Sequence, residues 1–85
     1  MSLKILSFSS KTCGPCKAMK PIIEELESLY PINKMDVETT YVQTLEKYNI
    51  TSVPTLLFIK NDVVVRKKIG YTTKEEILSI IKNHE

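Results

Sequence analysis

The stretch KTCGPCKAMKP, Lys11 to Pro21, holds both cysteines of the chain, with only Gly14 and Pro15 between them. What flanks it decides what the pair is for. "LKILSFS" (Leu3–Ser9) is short and apolar-rich, the pattern of a buried strand. Beyond the cysteines, Met19, Ile22, Ile23, Leu26, Leu29 and Tyr30 recur at helical spacing and predict a single apolar stripe. The pair therefore sits where a strand gives way to a helix. Pro15 suits the first helical turn, where its missing N–H costs nothing. Pro21 falls inside the helix, removes one backbone donor and predicts a kink.

Further along, "INKMDV" reads as a second short strand, and Thr39 or Thr40 is placed to cap a helix running to about Asn49. "VPTLLFIK" and "VVVRKKI" are strands by their β-branched content, joined by Asn61-Asp62 as a tight hairpin turn. Gly70 ends the second. Thr73 to Glu76 reads as a capping box opening a last helix whose apolar positions are Ile77, Ile80 and Ile81. The order is β-α-β-α-β-β-α. Its first two strands, joined through a helix, must run parallel with a right-handed crossover, and its last two form an antiparallel hairpin. The fold class expected is α/β, a mixed four-stranded sheet with helices on both faces.

Eighty-five residues leave room for one domain, 1–85, which buries about 60–65% of its unfolded surface. The hydrophobic fraction of 42% is that of a globular chain, and the net charge of +2 is too small to argue for nucleic acid. Lysines and acids are interspersed along the chain. No apolar run approaches the roughly 20 residues that span a bilayer, so no membrane role is expected. The N-terminus reaches Ser7, Ser9 and Ser10 too soon for a signal peptide. The compartment expected is then the reducing cytoplasm, where disulfides are transient.

The cysteine pair has three readings. As a staple it is poor, because closing so short a loop gains about 2 kcal/mol against roughly 3 for a 15-residue loop. As a zinc site it supplies two ligands where four are wanted, and the only histidine, His84, lies at the end of the last helix. The redox reading accounts for the placement. A cysteine at a helix start meets backbone N–H groups without intrahelical partners, which together with the dipole favour thiolate over thiol. Residues three apart on the first turn lie close enough for their sulfurs to bond. Lys11 and Lys17 flank the pair, either as added support for the thiolate or as plain solvated charge. One exposed, ionised sulfur and one shielded sulfur make a dithiol–disulfide exchanger.

On these residues the chain resembles the thioredoxin family. "CGPCK" with Pro21 five residues after Cys16 is similar to its active-site helix, "VPTLLFIKND" to its strand carrying a cis-proline, and "KKIGYTTKEE" to its last strand and helix. The similarity runs from Leu3 onward and lacks the extra N-terminal strand and helix of longer members. The resemblance implies that Cys13 attacks a substrate disulfide and Cys16 resolves the mixed disulfide, with Gly14, Pro15, Lys17 and a cis Pro54 supporting them. It implies substrate contacts at Thr12, at the backbone of Val53 and at Gly70. It implies no cofactor beyond the redox-active Cys13–Cys16 disulfide, protein disulfides as substrates, a thioredoxin reductase as electron donor and a monomeric state. On the residues alone, Pro54 also fits a trans proline opening an edge strand, and Gly70 a plain strand-ending turn.

Three positions depart from the family pattern. Ser7 stands where longer members carry a buried aspartate, Thr12 where a tryptophan is usual, and Ile32 is read as replacing a lysine near that aspartate. A glutathione-dependent, glutaredoxin-like enzyme is the nearest rival, but Ile69 to Thr73 lacks the Gly-Gly-x-Asp-like turn such a site needs. An isomerase would be expected to carry a histidine between the cysteines. The remaining alternative is a non-catalytic module that clamps a partner.

Overall fold

The computed structural model describes residues 3–84. Seven elements follow the expected order: β1 (Leu3–Ser9), α1 (Gly14–Glu27), β2 (Ile32–Asp36), α2 (Val42–Lys47), β3 (Thr55–Lys60), β4 (Val63–Ile69) and α3 (Lys74–Asn83). The strands form one mixed sheet in the order β2-β1-β3-β4. β1 runs parallel to β2 and antiparallel to β3, and β3 pairs antiparallel with β4.

β1 and β3 are central, which is why their sequences are apolar at consecutive positions rather than at alternate ones. Ile5, Leu56 and Phe58 point to one face, where Met19, Ile23 and Leu26 of α1 and Ile77, Ile80 and Ile81 of α3 cover them. Leu6, Phe8, Leu57 and Ile59 point to the other, beneath Leu45 of α2 and Tyr48, Ile50 and Val53. Phe8 and Tyr48 meet there as a tilted pair, centroids 6.4 Å apart. Helices thus cover both faces, and the residues at the C-terminal end of β1 are carried straight to the start of α1.

The hairpin forms at Asn61-Asp62, whose φ values of 52° and 67° are the left-handed pair that a two-residue turn needs. A bulge follows: Phe58 pairs with Arg66 but Ile59 with Val64, leaving Val65 as the extra residue.

Three expectations are corrected. The stripe on α1 does not extend to Leu29, because the helix ends at Glu27; the N–H groups of Leu29 and Tyr30 both donate to Leu26 O at 2.9 Å, and Leu29 is left 70% exposed. Neither Thr39 nor Thr40 caps α2. Their N–H groups and hydroxyls all turn back to Asp36 O, and the Asp36 carboxylate accepts the Glu38 N–H at 2.8 Å. Those bonds close a turn at the end of β2, so α2 begins later, behind Tyr41, and stops at Lys47. Its C-terminal end is instead held by Lys67, whose Nζ donates to Tyr48 O and Asn49 O. The capping box of α3 is half made. Thr73 Oγ1 accepts the Glu76 N–H at 3.2 Å, while the Glu76 carboxylate pairs with Lys68 at 3.6 Å.

Candidate active site

Cys13 is the N-cap of α1, with extended backbone, and its Sγ accepts the Cys16 N–H at 3.1 Å. Its carbonyl accepts the Lys17 N–H, beginning the helical ladder. A sulfur here replaces the hydroxyl or carboxylate that usually caps a helix and sits against the positive end of a 14-residue dipole. The two cysteines are joined as a disulfide across a Cα–Cα distance of 5.2 Å. They are not equivalent. Cys13 is half-buried, whereas Cys16, one turn into the helix, is 8% exposed. Thr12, Gly14, Pro15 and Lys17 surround the pair and are all exposed. A Cβ added at Gly14 would meet no atom within 4 Å, so the fold itself does not require glycine there.

The other expected site residues come from the loop before β3 and the end of β4. The Val53–Pro54 bond is cis and Pro54 is buried, which settles against a trans proline at that position. Gly70 takes φ +92°, a region that favours glycine, and its N–H donates to Pro54 O at 2.8 Å. That bond ties the end of β4 to the loop before β3. Two buried hydroxyls fix the same corner: Thr55 Oγ1 donates to Ser52 O at 2.7 Å and Thr72 Oγ1 to Gly70 O at 3.1 Å. Sequence reading missed both threonines. The signal was a threonine directly after Pro54 and another two residues after Gly70, each able to bond its own loop.

Behind Cys16 lies a cavity of about 370 Å³. Its buried lining is Ser7, Cys16, Met19, Ile23 and Pro54; Ser9, Ser10 and Asp36 are half-buried, and Lys11, Lys17, Lys20, Glu24 and Lys34 are its exposed members. Among the described residues, no group of three or more His, Cys, Asp or Glu side chains is placed to hold a metal ion, and no helix is long and apolar enough to cross a membrane. What the site offers is a sulfur–sulfur bond that can open and reclose, between one half-buried cysteine and one buried one.

The thioredoxin family model matches residues 2–83. The chain belongs to the thioredoxin family. It is 35% identical to a thioredoxin of Staphylococcus epidermidis, over 96% of this chain and 82% of that one. Among solved structures, a thioredoxin pre-protein of Schistosoma mansoni superposes with a TM-score of 0.85 at 33% identity, covering 96% of this chain and 78% of that one. A mutant thioredoxin from Halobacterium salinarum superposes at 0.89 with 23% identity, over 96% and 74% of the two chains, a likeness of fold. With its two cysteines joined at the head of α1, this thioredoxin-family chain is a dithiol–disulfide oxidoreductase.

Within the family frame, the departures acquire positions. Ser7 is 8% exposed, on β1, and shares the cavity with Cys16. Ile32 is not the residue facing it. The β1–β2 register sets Ile32 opposite Ile5 and Lys34 opposite Ser7, so a lysine does stand beside the serine. The parallel register, invisible in the sequence, shifts the correspondence by two residues. Lys34 Nζ lies 3.2 Å from the Glu27 carboxylate, which directs its charge along the surface of α1.

Proposed function

We propose that this chain is a reductant of disulfides in protein substrates, with Cys13 as the attacking sulfur and Cys16 as the resolving one. The difference in exposure between the two cysteines carries this reading, together with the backbone N–H that the Cys13 sulfur accepts. In the reduced protein the Cys13 thiolate attacks one sulfur of a substrate disulfide. A Cys13–substrate bond forms, the substrate S–S bond breaks, and the departing sulfur takes the electron pair. Cys16 then loses its proton and attacks Cys13. The Cys13–Cys16 disulfide forms, the mixed disulfide breaks and the second substrate thiolate leaves. The substrate gains two electrons and the protein loses two.

Gly14, Pro15 and Lys17 shape the first turn of α1, and Pro54 lines the cavity together with Cys16. Exposed Thr12 and half-buried Val53 and Gly70 supply the surface on which an extended substrate segment rests. The disulfide is the only redox group required, with no further cofactor. A thioredoxin reductase in the cytoplasm restores the dithiol, and the chain works as a single 1–85 domain and as a monomer. Acceleration of insulin reduction by dithiothreitol tests the reading. Turbidity is expected to develop well ahead of dithiothreitol alone, and an unchanged rate would make the chain a binding module instead. Turnover that requires glutathione rather than a dithiol would favour the glutaredoxin-like alternative.

A further inference from the structure

Bases and acids are mixed along most of this chain, but not around the disulfide. The first 23 residues hold four lysines and no acid, and the remaining 62 hold eight bases against ten acids. Three of the four, Lys11, Lys17 and Lys20, line the cavity that exposes the flank of Cys16. The two helices show how unusual this is. α3 follows its dipole, with Glu75 and Glu76 in the first turn and Lys82 in the last. α1 is reversed: its first turn has no acid, its last has no base, and its glutamates fall in the second half. That arrangement works against helix stability, and departures of this kind concentrate where a site is being served.

The acids nearby do not cancel the field. Glu25 pairs with Lys74 and Glu27 with Lys34, each on a neighbouring element. Asp36, with an oxygen on the Glu38 N–H, and Glu24 of α1 line the cavity themselves, two acids against the lysines Lys11, Lys17, Lys20 and Lys34. On the Val53–Pro54 side the residues next to Gly70 are apolar, and the nearest charge on β4, Lys68, is paired with Glu76. Ile69 and Tyr71, on either side of Gly70, are 58% and 52% exposed. One flank of the redox pair is cationic and the other apolar.

We propose that the preferred substrates are polypeptides with aspartate or glutamate beside the disulfide, on the side that passes over α1, and that Lys11, Lys17 and Lys20 select them. This rests on the reductase reading above. The reacting group must itself be a disulfide, which a polypeptide carries and a nucleic acid does not. Charges at the rim of a docking surface act chiefly on encounter rate, so the preference belongs in kcat/KM and must weaken with salt.

Three disulfide-closed peptides, identical except for Glu, Gln or Lys beside the cysteines, test it. At about 20 mM salt the Glu peptide is expected to be reduced about tenfold faster than the Lys peptide in kcat/KM. The ratio should fall toward one at about 1 M salt, where the Debye length is only about 3 Å. The double variant Lys11→Glu/Lys20→Glu leaves Lys17 and the cysteines in place and should reverse the order, with turnover of the Gln peptide reporting that the variant is folded and active. Ratios, not absolute rates, carry the comparison, so any shift in intrinsic reactivity divides out. A Glu-to-Lys peptide ratio within about twofold at low salt, or one the double variant does not change, overturns the proposal. If none of the three peptides is reduced, the reductase reading fails and takes this proposal with it.

Discussion

Cys13→Ser is expected to reduce disulfide turnover to background, a loss of at least about a thousandfold, because it removes the attacking sulfur outright. Cys16→Ser is expected to be equally inactive in turnover but to fail at a different step. Its Cys13 still attacks, and the mixed disulfide that forms has no internal thiol to release it. Substrate proteins should therefore remain covalently attached to Cys16→Ser and elute only with added reductant, while Cys13→Ser retains none. Both variants should stay folded, since serine is close in volume to cysteine and the core under α1 is built on Met19, Ile23 and Leu26. Non-reducing gels of the two proteins after incubation with oxidised substrate decide the matter. Recovery of partners on Cys13→Ser would reverse the two roles.

Ser7→Asp is the second large effect, and it appears in stability. Ser7 is 8% exposed, on a central strand. An aspartate placed there has its charged form penalised by burial, so its folded pKa should rise above the unfolded value of about 3.9. The lysines around the cavity oppose that rise only weakly. Lys11, Lys17 and Lys20 are exposed and screened by solvent, and Lys34 is paired with Glu27. A folded state that holds the proton more tightly than the unfolded chain is favoured at low pH. Relative to wild type, that stability is complete below the unfolded pKa and is lost as pH rises from there through the folded pKa. The total cost is about 1.4 kcal/mol for each unit by which the pKa is raised. Melting of the oxidised proteins at pH 5 and pH 9 measures it, with the gap between variant and wild type expected to widen at the higher pH. An equal gap at both would mean that the added carboxylate feels no burial.

Much of the fold was legible because its signals are local and strong. The central strands announce themselves by apolar residues at consecutive positions, Asn61-Asp62 by its turn chemistry, and the start of α1 by Pro15 one residue before Cys16. The Cys13–Cys16 pair was legible for the same reason, since a helix start brings residues three apart together. What failed depended on competition between partners that the sequence does not rank. Thr39 and Thr40 are good capping residues, but Asp36 O lies closer and takes all four of their donors. Glu76 is well placed to complete a capping box, but Lys68 on β4 captures its carboxylate. Leu29 fits the apolar period, yet the helix stops two residues before it. The lysine beside Ser7 is read as replaced by Ile32, whereas Lys34 stands there, because β2 finds its register against β1 through tertiary pairing. Reversed charge along α1 was present in the sequence throughout, but its meaning depends on knowing that Lys11, Lys17 and Lys20 converge on one cavity.

The central claim is that the two sulfurs are chemically unequal, Cys13 ionised and outward, Cys16 protonated and shielded. Limited alkylation of the fully reduced protein with iodoacetamide at pH 7 measures that inequality directly. Trypsin cuts after Lys11 and Lys17 and leaves both cysteines on one short peptide, so fragmentation of that peptide locates the label. The thiolate is the reactive form, and only Cys13 has the helix-start N–H and the exposure to sustain it. Carboxamidomethyl is expected on Cys13 first, with Cys16 at least about tenfold slower. Labelling of both at equal rates, or of Cys16 before Cys13, would contradict it.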